Sequence, residues 1–352
     1  MPDHRLNRRS LLQLTSATAL MLGAPLTLST AKAQTMTTEW DKVFPRSETV
    51  DHEKISFKNR YGITLSGDLY LPKDRGGPLP AIVVGGPFGA VKEQSSGLYA
   101  QTMAERGFAA LAFDGSFTGE SGGEPRNIAS PDINTEDFSA AVDAIGLRPE
   151  VDRNRIGMIG ICGWGGMALN AAAIDKRVRA VATSTMYDMS RVMSRGYNDS
   201  TTPEQRAETL EQLAAQRWTD AENGAPAYGP PSLDLTGDEP QFVKEYADYY
   251  RTPRGYHPRA VNSGNAWSVT TPLSFMNMPL LTYIAEISPR PVLLIHGEAA
   301  HSRYFSETAY EAAAEPKELF IVPGATHTDL YDNKAGVIPW DKLQAYFTEH
   351  LA

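Results

Sequence analysis

Residues 156–166 have the sequence Ile-Gly-Met-Ile-Gly-Ile-Cys-Gly-Trp-Gly-Gly. The first six form a short apolar run that is typical of a buried β-strand, and residues 163–175 are predicted to form the helix that follows. Cys162 therefore lies at a strand-to-helix turn, where a side chain is raised above the edge of the sheet. Small neighbours are required because the turn is sharp and the strand and the helix approach closely.

This position predicts that Cys162 is a nucleophile. It is the only cysteine of the chain, so an intrachain disulfide is impossible. The amino end of the helix beneath the sulfur is expected to favour its thiolate form. An inert, buried thiol is the alternative interpretation, since free cysteines are often small core residues.

The chain on both sides of this turn alternates between apolar runs and amphipathic segments. Strands are predicted at 53–58, 64–71, 80–85, 108–113, 178–183, 291–296 and 318–322, and helices at 95–106, 134–147, 305–314 and 340–350. The first two strands are predicted to form a hairpin, and Asn134 or Thr135 is the expected N-cap of the helix at 134–147. The alternation predicts an α/β fold, with a mostly parallel sheet and helices on both faces.

Residues 189–288 interrupt this alternation. They contain a charged helical stretch (203–223), a stretch rich in proline and glycine (224–240) and an aromatic segment. A loop of this length is uncommon in a compact fold, so the segment is expected to have structure of its own. We predict a mainly helical cap that is inserted into an α/β core formed by 34–188 and 289–352.

A general base for Cys162 is expected late in the chain. Residues 323–329, Pro-Gly-Ala-Thr-His-Thr-Asp, follow the last predicted strand and place His327 in a loop. A histidine in that loop can reach back to the turn and accept the thiol proton. An ordinary histidine of a surface loop is the alternative interpretation.

Composition and motifs argue against several classes of function. The net charge of −9, which becomes more negative once the basic segment 1–34 is set aside, disfavours binding to nucleic acid. The seven histidines and the single cysteine show neither HExxH nor CxxC spacing, so no metal is predicted. Gly119, Gly122 and Gly123 lack the sequence context of a phosphate or dinucleotide loop, so no cofactor is predicted.

The amino-terminal segment is predicted to be an export signal. Arg8 and Arg9 precede an apolar stretch that runs to about Leu28, and residues 31–33, Ala-Lys-Ala, have the small residues of a cleavage site. The paired arginines predict a twin-arginine-type signal peptide over 1–33 and a periplasmic protein without a stable membrane anchor after cleavage. An ordinary secretory signal and an uncleaved anchor are the alternatives.

Several of these features together resemble a known superfamily. The Gly-x-Cys turn, the Pro-Gly-Ala-Thr-His segment and the alternating layout are similar to the α/β-hydrolase fold, and the cysteine resembles the nucleophile of its dienelactone-hydrolase-like branch. Residues 87–94, 119–126 and 301–307 resemble a bacterial group of uncharacterised, exported Cys-type α/β hydrolases. The resemblance covers about 50–352 and implies the fold, whereas the substrate depends on the site.

The resemblance also implies residues of an oxyanion hole. One amide follows the nucleophile, here Gly163, and the other comes from an earlier loop, where Phe88 is expected because Pro87 has no N–H. The family pattern has a glycine two positions after the nucleophile, where this chain has Trp164. We expect this indole either to line the substrate pocket or to pack sideways on the helix.

The acid that would orient His327 departs from the resemblance. Many relatives have an aspartate four residues past the histidine of a His-Gly pair, and Ala300 occupies that position here. Glu298, in the same loop, is the first candidate for the acid. Asp188 and His301 are the alternatives.

Taken together, these residues predict a metal-independent hydrolase that cleaves a carboxylic ester, lactone or thioester through a covalent acyl group on Cys162. The predicted cap favours a small-molecule substrate with a partly apolar acyl or aryl group. Acyl transfer by the same Cys-His relay is one alternative. A non-catalytic periplasmic binding protein that kept the fold is another.

Overall fold

The computed structural model describes residues 40–230 and 235–352, so the predicted signal segment 1–33 lies outside the described residues. The strands are β1 (Val50–Lys58), β2 (Thr64–Pro72), β3 (Leu79–Gly85), β4 (Ala109–Phe113), β5 (Val151–Ile161), β6 (Val178–Ser184), β7 (Val292–Gly297) and β8 (Lys317–Val322). They form one sheet in the order β1-β2-β4-β3-β5-β6-β7-β8. The β1–β2 and β2–β4 pairs are antiparallel, and all other pairs are parallel.

The described helices follow β3 in the chain. They are α1 (Ser95–Glu105), α2 (Pro131–Gly146), α3 (Gly163–Ile174), α4 (Met189–Arg195), α5 (Pro203–Asn223), α6 (Gln241–Tyr250), α7 (Pro272–Asn277), α8 (Arg303–Ala312) and α9 (Trp340–His350). Within 40–230 and 235–352, none of them combines the length and the apolar character that a membrane span needs.

Helix α2 begins earlier than the sequence pattern predicted. Its N-cap is Ser130, whose Oγ accepts a hydrogen bond from the Ile133 N–H at 3.4 Å, and Pro131 occupies the first helical position. The prediction of Asn134 or Thr135 as the cap was therefore wrong. The apolar periodicity begins only after the polar first turn, which is why it set the boundary too late.

Alternate residues of the central strands point to opposite faces of the sheet. In β3, Ala81 and Val83 pack in the core on one face, and Ile82 and Val84 pack in the core on the other. Burial on both faces explains why these strands are continuous apolar runs. Helices α2 and α3 cover the first face, and α1 and α9 cover the second, which confirms the predicted fold class.

Helices α4 to α7 lie between β6 and β7 in the chain, within the segment 189–288. Helix α5 coincides with the charged stretch that was predicted to be helical. A capping box starts it: Thr202 Oγ1 accepts from the Gln205 N–H at 3.2 Å, and Gln205 Oε1 accepts from the Thr202 N–H at 3.0 Å. The segment therefore has local structure of its own.

Candidate active site

Cys162 occupies the turn between β5 and α3. Its φ of 54° lies in the left-handed region, which a residue with a side chain rarely adopts. A Cβ atom on Gly160 would lie 2.5 Å from the Trp164 carbonyl oxygen, and one on Gly163 would lie 2.6 Å from Phe88 Cβ. Both positions therefore require glycine, and the strained turn holds Cys162 at the carboxyl edge of the sheet.

Three groups surround the Cys162 thiol. The backbone N–H groups of Phe88 and Gly163, the two residues predicted for an oxyanion hole, and the Tyr331 hydroxyl face Sγ, where they stabilise its charged form. Burial raises the pKa of the thiol, and these contacts lower it by less, so the pKa lies above its ordinary value. The resting thiol is therefore protonated at neutral pH. The Gly163 N–H at the amino end of α3 lowers this pKa, in the direction that the sequence indicated, and burial raises it by more.

His327 lies in the loop after β8 and is fully buried. Its Nε2 atom is 2.9 Å from the Tyr331 hydroxyl, which therefore lies between the imidazole and the Cys162 thiol. Burial holds the pKa of His327 well below its usual range, and the nearby His301 and His296 lower it further. The imidazole is therefore neutral at pH 7. Sequence analysis missed Tyr331, for which a spacing of four residues from His327 was the available signal.

The other ring nitrogen of His327 contacts hydroxyl groups. Nδ1 is 2.6 Å from Ser302 Oγ and 2.7 Å from Thr185 Oγ1. Glu298, the first candidate for the acid, is exposed, and its carboxylate accepts a hydrogen bond from the Gly324 N–H at 2.9 Å. The structure does not bring Glu298 to His327, because the loop after β7 turns this side chain towards solvent.

The two alternative candidates for the acid are also engaged elsewhere. Asp188 is the N-cap of α4, and its Oδ1 accepts from the Arg191 N–H at 3.0 Å. His301 Nε2 contacts the Tyr187 hydroxyl. Among the residues that the structure describes, no carboxylate is hydrogen-bonded to His327.

Trp164 packs away from the Cys162 thiol. Its ring meets those of Phe113 and Phe138 edge to face, with centroid separations of 5.4 and 5.5 Å. The indole is buried in the core beneath α2 and α3. The prediction that Trp164 lines the substrate pocket does not hold in this structure, and sideways packing, the alternative, describes it.

Cys162 faces a cavity of about 370 Å³. Only four of its lining residues come from outside 189–288: Phe88, Cys162, Tyr187 and Tyr331. The remaining wall is largely aliphatic and aromatic, and includes Val192, Leu213, Phe242 and Trp267. A second depression of about 450 Å³ between α4, α7 and α8 includes neither Cys162 nor His327. The cavity at Cys162 has the size and apolar character of a small-molecule site.

A buried cluster of charges lies behind the loop that carries Phe88. The Lys92 ammonium is 2.7 Å from Glu93 Oε1, 3.0 Å from Asp114 Oδ2 and 2.6 Å from Glu120 Oε2. Burial lowers the pKa of Lys92, and the carboxylates raise it by more, so the pKa stays well above its usual range and the ammonium stays charged. The Lys92 N–H also donates to Asp114 Oδ1 at 2.8 Å, so this cluster holds the loop.

The same cluster contains a group of oxygens that could hold a cation. Carboxylate oxygens of Asp41, Glu93 and Glu120 lie within 4.8 Å of one another. The Arg259 guanidinium lies among them, 2.7 Å from Glu93 Oε1 and in contact with Asp41. A protein cation therefore already compensates these carboxylates, and they carry no metal proposal.

The sheet order, the strained cysteine turn after β5 and the buried histidine after the last strand define the class of α/β hydrolases. The sequence model of the X-Pro dipeptidyl-peptidase (S15) family matches residues 61–329, and the chain belongs to this family.

The chain is 75% identical over 317 residues to the uncharacterised protein PA2218 of Pseudomonas aeruginosa, covering 90% of this chain and 85% of that protein. The crystal structure of PA2218 matches with a TM-score of 0.88 at 75% identity, covering 90% of this chain and 98% of that one.

Two fungal relatives have names that state an activity. The polyketide transferase grgF of Penicillium sp. is 27% identical over 296 residues, covering 80% of this chain and 92% of the relative. The thiohydrolase aneE of Aspergillus aculeatus is 27% identical over 268 residues, covering 72% and 78%. The crystal structure of GrgF matches with a TM-score of 0.71 at 25% identity, covering 86% of this chain and 99% of that one. These relatives support hydrolase or acyltransferase activity.

Proposed function

We propose that this protein hydrolyses or transfers an acyl group that is carried as a thioester or ester, through a covalent acyl group on Cys162. The observation that carries the proposal is the placement of the thiol between two backbone amides and the Tyr331 hydroxyl, which reaches His327 Nε2 at 2.9 Å. These are a nucleophile, oxyanion donors and a path to a base.

The first step moves two protons in a relay, with a net transfer of one proton from sulfur to imidazole, and one electron pair. The thiol proton passes to Tyr331 Oη while the Tyr331 proton passes to His327 Nε2, and the sulfur bonds to the substrate carbonyl carbon. Burial raises the pKa of Tyr331 well above its usual range, so the phenol is not left ionised and the two transfers are concerted. The carbonyl oxygen becomes an oxyanion, which accepts from the amides of Phe88 and Gly163.

The second step releases the leaving group. The bond from the carbonyl carbon to the leaving sulfur or oxygen breaks, and the leaving group takes the proton back from His327 through Tyr331. Water or an acceptor alcohol, thiol or amine then attacks the carbonyl carbon of the acyl–Cys162 thioester and passes its proton along the same path to His327. The carbon–sulfur bond breaks, and Cys162 Sγ takes that proton back through Tyr331. Hydrolysis and transfer differ only in this attacking group.

The cavity indicates the acyl group. Its apolar wall, built mainly from 189–288, fits a bulky aliphatic or aryl acyl chain, and the proposal assigns this segment the role of a cap that excludes water. The names of grgF and aneE, a polyketide transferase and a thiohydrolase, support a thioester as the acyl donor.

Three further features of the proposal rest on sequence. They are the dienelactone-hydrolase-like cysteine mechanism, the twin-arginine-type signal over 1–33 and periplasmic localisation. Sequence motifs alone predict all three. Fractionation of cells that express the full chain tests the last two, with Arg8→Lys and Arg9→Lys together as the variant that blocks this export route.

A panel of acyl substrates tests the proposed chemistry. We expect thioesters of N-acetylcysteamine with medium-length or aryl acyl groups to be turned over faster than acetyl thioesters, because the cavity wall is apolar. Intact mass measured during turnover should show one added acyl group on the peptide that contains Cys162. Prior alkylation with iodoacetamide should abolish both signals. Turnover that survives complete alkylation of Cys162 would contradict the mechanism.

Tyr331→Phe tests the proton path. The variant keeps the ring and removes the hydroxyl between sulfur and imidazole, so we expect kcat/KM to fall by roughly 10²–10⁴. Tyr346→Phe is the matched control, because Tyr346 is also buried but its hydroxyl donates to the Pro291 carbonyl at 2.7 Å, outside the cavity and the relay. A Tyr331→Phe rate equal to that of the control would show that the proton moves directly from Cys162 to His327.

A further inference from the structure

We infer that the Ser302 hydroxyl, oriented by His296, accepts the hydrogen bond from His327 Nδ1 in the place where a relay of this type has a carboxylate. This inference rests on the proposed function, since it concerns how His327 is held as the base. Ser302 and His296 are thus positioning residues. The acid candidates weighed from the sequence, by contrast, all bond to other groups.

Four buried groups form a continuous chain. Ser302 Oγ is 2.6 Å from His327 Nδ1 and 2.9 Å from His296 Nε2. His296 Nδ1 is in turn 2.7 Å from Ser306 Oγ. All four side chains are fully buried, so no water competes for these contacts.

Two sets of proton positions, which run in opposite directions, satisfy the contacts of this chain, and the proposed function requires the set that leaves His327 Nε2 as an acceptor. His327 Nε2 must be unprotonated to accept from Tyr331, so the His327 proton is on Nδ1 and is donated to Ser302 Oγ. The Ser302 proton then points to His296 Nε2, which therefore accepts. The His296 proton is on Nδ1 and is donated to Ser306 Oγ. Each donor thus meets an acceptor.

In this set of proton positions, His296 takes up the Ser302 proton. A hydroxyl can donate as well as accept, so Ser302 alone could turn its proton towards His327 Nδ1 and favour the tautomer that cannot serve as the base. With its own proton on Nδ1, His296 offers Nε2 to the Ser302 proton, and only a lone pair of Ser302 Oγ remains for His327. A carboxylate achieves the same selection simply because it has no proton to donate.

The fold holds this chain from three sides. His296 is on β7, Ser302 precedes α8, and Ser306 lies in the first turns of α8. Thr185, directly after β6, adds a second hydroxyl 2.7 Å from His327 Nδ1, and its φ is 47°. A β-branched residue at this φ is strained, and the strain is held because its N–H donates to the Ile295 carbonyl at 2.7 Å.

The surroundings of His327 are uncharged. The titratable side chains that face its ring are Cys162, Tyr187, Tyr246, Tyr331, His296 and His301. Burial lowers the pKa of His296 to about 3 and of His301 to about 3, so both are neutral at pH 7. A neutral relay stabilises the imidazolium less than a carboxylate does, which suits a thiolate leaving group that needs little protonation to depart.

The test uses Ser302→Ala, His296→Gln and the control Ser190→Ala. Ser190 is another buried serine, whose hydroxyl donates to the Met278 carbonyl at 2.6 Å and lies outside the relay. The probes are the rate of Cys162 alkylation by iodoacetamide against pH and the ¹⁵N NMR spectrum of the histidines, neither of which needs the substrate. We expect alkylation to slow by about 10–100-fold in the two relay variants and not in the control.

The NMR readout separates orientation from folding. In the wild type we expect His327 to carry its proton on Nδ1, and in Ser302→Ala and His296→Gln a mixture of both tautomers. In Ser302→Asp, the new carboxylate should raise the pH at which His327 titrates. A wild-type His327 protonated on Nε2, or unchanged tautomer and alkylation rate in folded Ser302→Ala and His296→Gln, would overturn the inference. Absence of acyl turnover with the expected tautomers would overturn the proposed function alone.

Discussion

Cys162→Ala is expected to lower kcat for an acyl thioester by a factor on the order of 10⁴ or more. The variant removes the only atom that can form the covalent bond, and the oxyanion donors alone retain little of the rate. The substitution removes one sulfur from a strained turn that alanine can also adopt, so the fold should be kept, at a cost of about 1 kcal/mol. Initial rates and thermal unfolding, measured on the same preparation, check both statements.

Cys162→Ser is the matched variant for this prediction. It keeps a nucleophilic atom in place, but the hydroxyl is a far weaker acid than the thiol, and the pKa of His327 is held well below its usual range by burial. We therefore expect Cys162→Ser to be nearly as inactive as Cys162→Ala. An alanine variant within tenfold of the wild type would rule out Cys162 as the nucleophile.

Lys92→Met is expected to cause the largest loss of stability. The fully buried ammonium contacts the carboxylates of Glu93, Asp114 and Glu120 within 3.0 Å. Its removal takes from the buried Asp114 the ammonium that faces it, while Arg259 still faces Glu93 and Lys54 still faces Glu120. Breaking a buried ion pair in this way costs about 3–5 kcal/mol. For a protein of this size the melting temperature should fall by roughly 10 °C. Urea unfolding followed by circular dichroism measures the change.

Lys342→Met is the control for this second prediction. Its ammonium is 2.6 Å from Glu318 at the surface, where both side chains are partly exposed, and such pairs contribute less than about 1 kcal/mol. The Lys92 ammonium holds Asp114 Oδ2 at 3.0 Å, and Asp114 Oδ1 in turn accepts the backbone N–H of residue 92 near the loop of Phe88. Loss of the ammonium should therefore shift this loop, and the folded fraction of Lys92→Met should lose acyl turnover as well. Equal urea midpoints for the two variants would show that the buried carboxylates find other partners.

The glycine requirement around Cys162 shows which structural features a short stretch of sequence can predict. A sharp turn between a buried strand and a helix depends on residues that are neighbours in the chain, so the pattern from Ile156 to Gly166 sufficed to locate it. The same reasoning predicted the sheet, since strands buried on both faces must be continuous apolar runs. The apolar periodicity placed the start of α2 too late, because Ser130 and a polar first turn precede the periodic residues.

The hydrogen-bond partners of His327 show which features a short stretch of sequence cannot predict. Ser302, Thr185 and Tyr331 come from different loops, and Thr185 is separated from His327 by 142 positions. Serine and threonine are common in any loop, so no sequence pattern marks Ser302 or Thr185, and only a spacing of four residues connects Tyr331 with His327. The resemblance directed attention to carboxylates and to Glu298.

Sequence by itself determined the strand-to-helix turn, the placement of Cys162 and His327 after their strands, and the class of fold. The tertiary structure decided the rest: which groups bond His327, that Trp164 faces the core, and that the Cys162 thiol rests protonated. The physical reason is that the order of strands, turns and helices depends on residues adjacent in the chain. Burial and side-chain hydrogen bonds depend instead on how distant loops pack against one another.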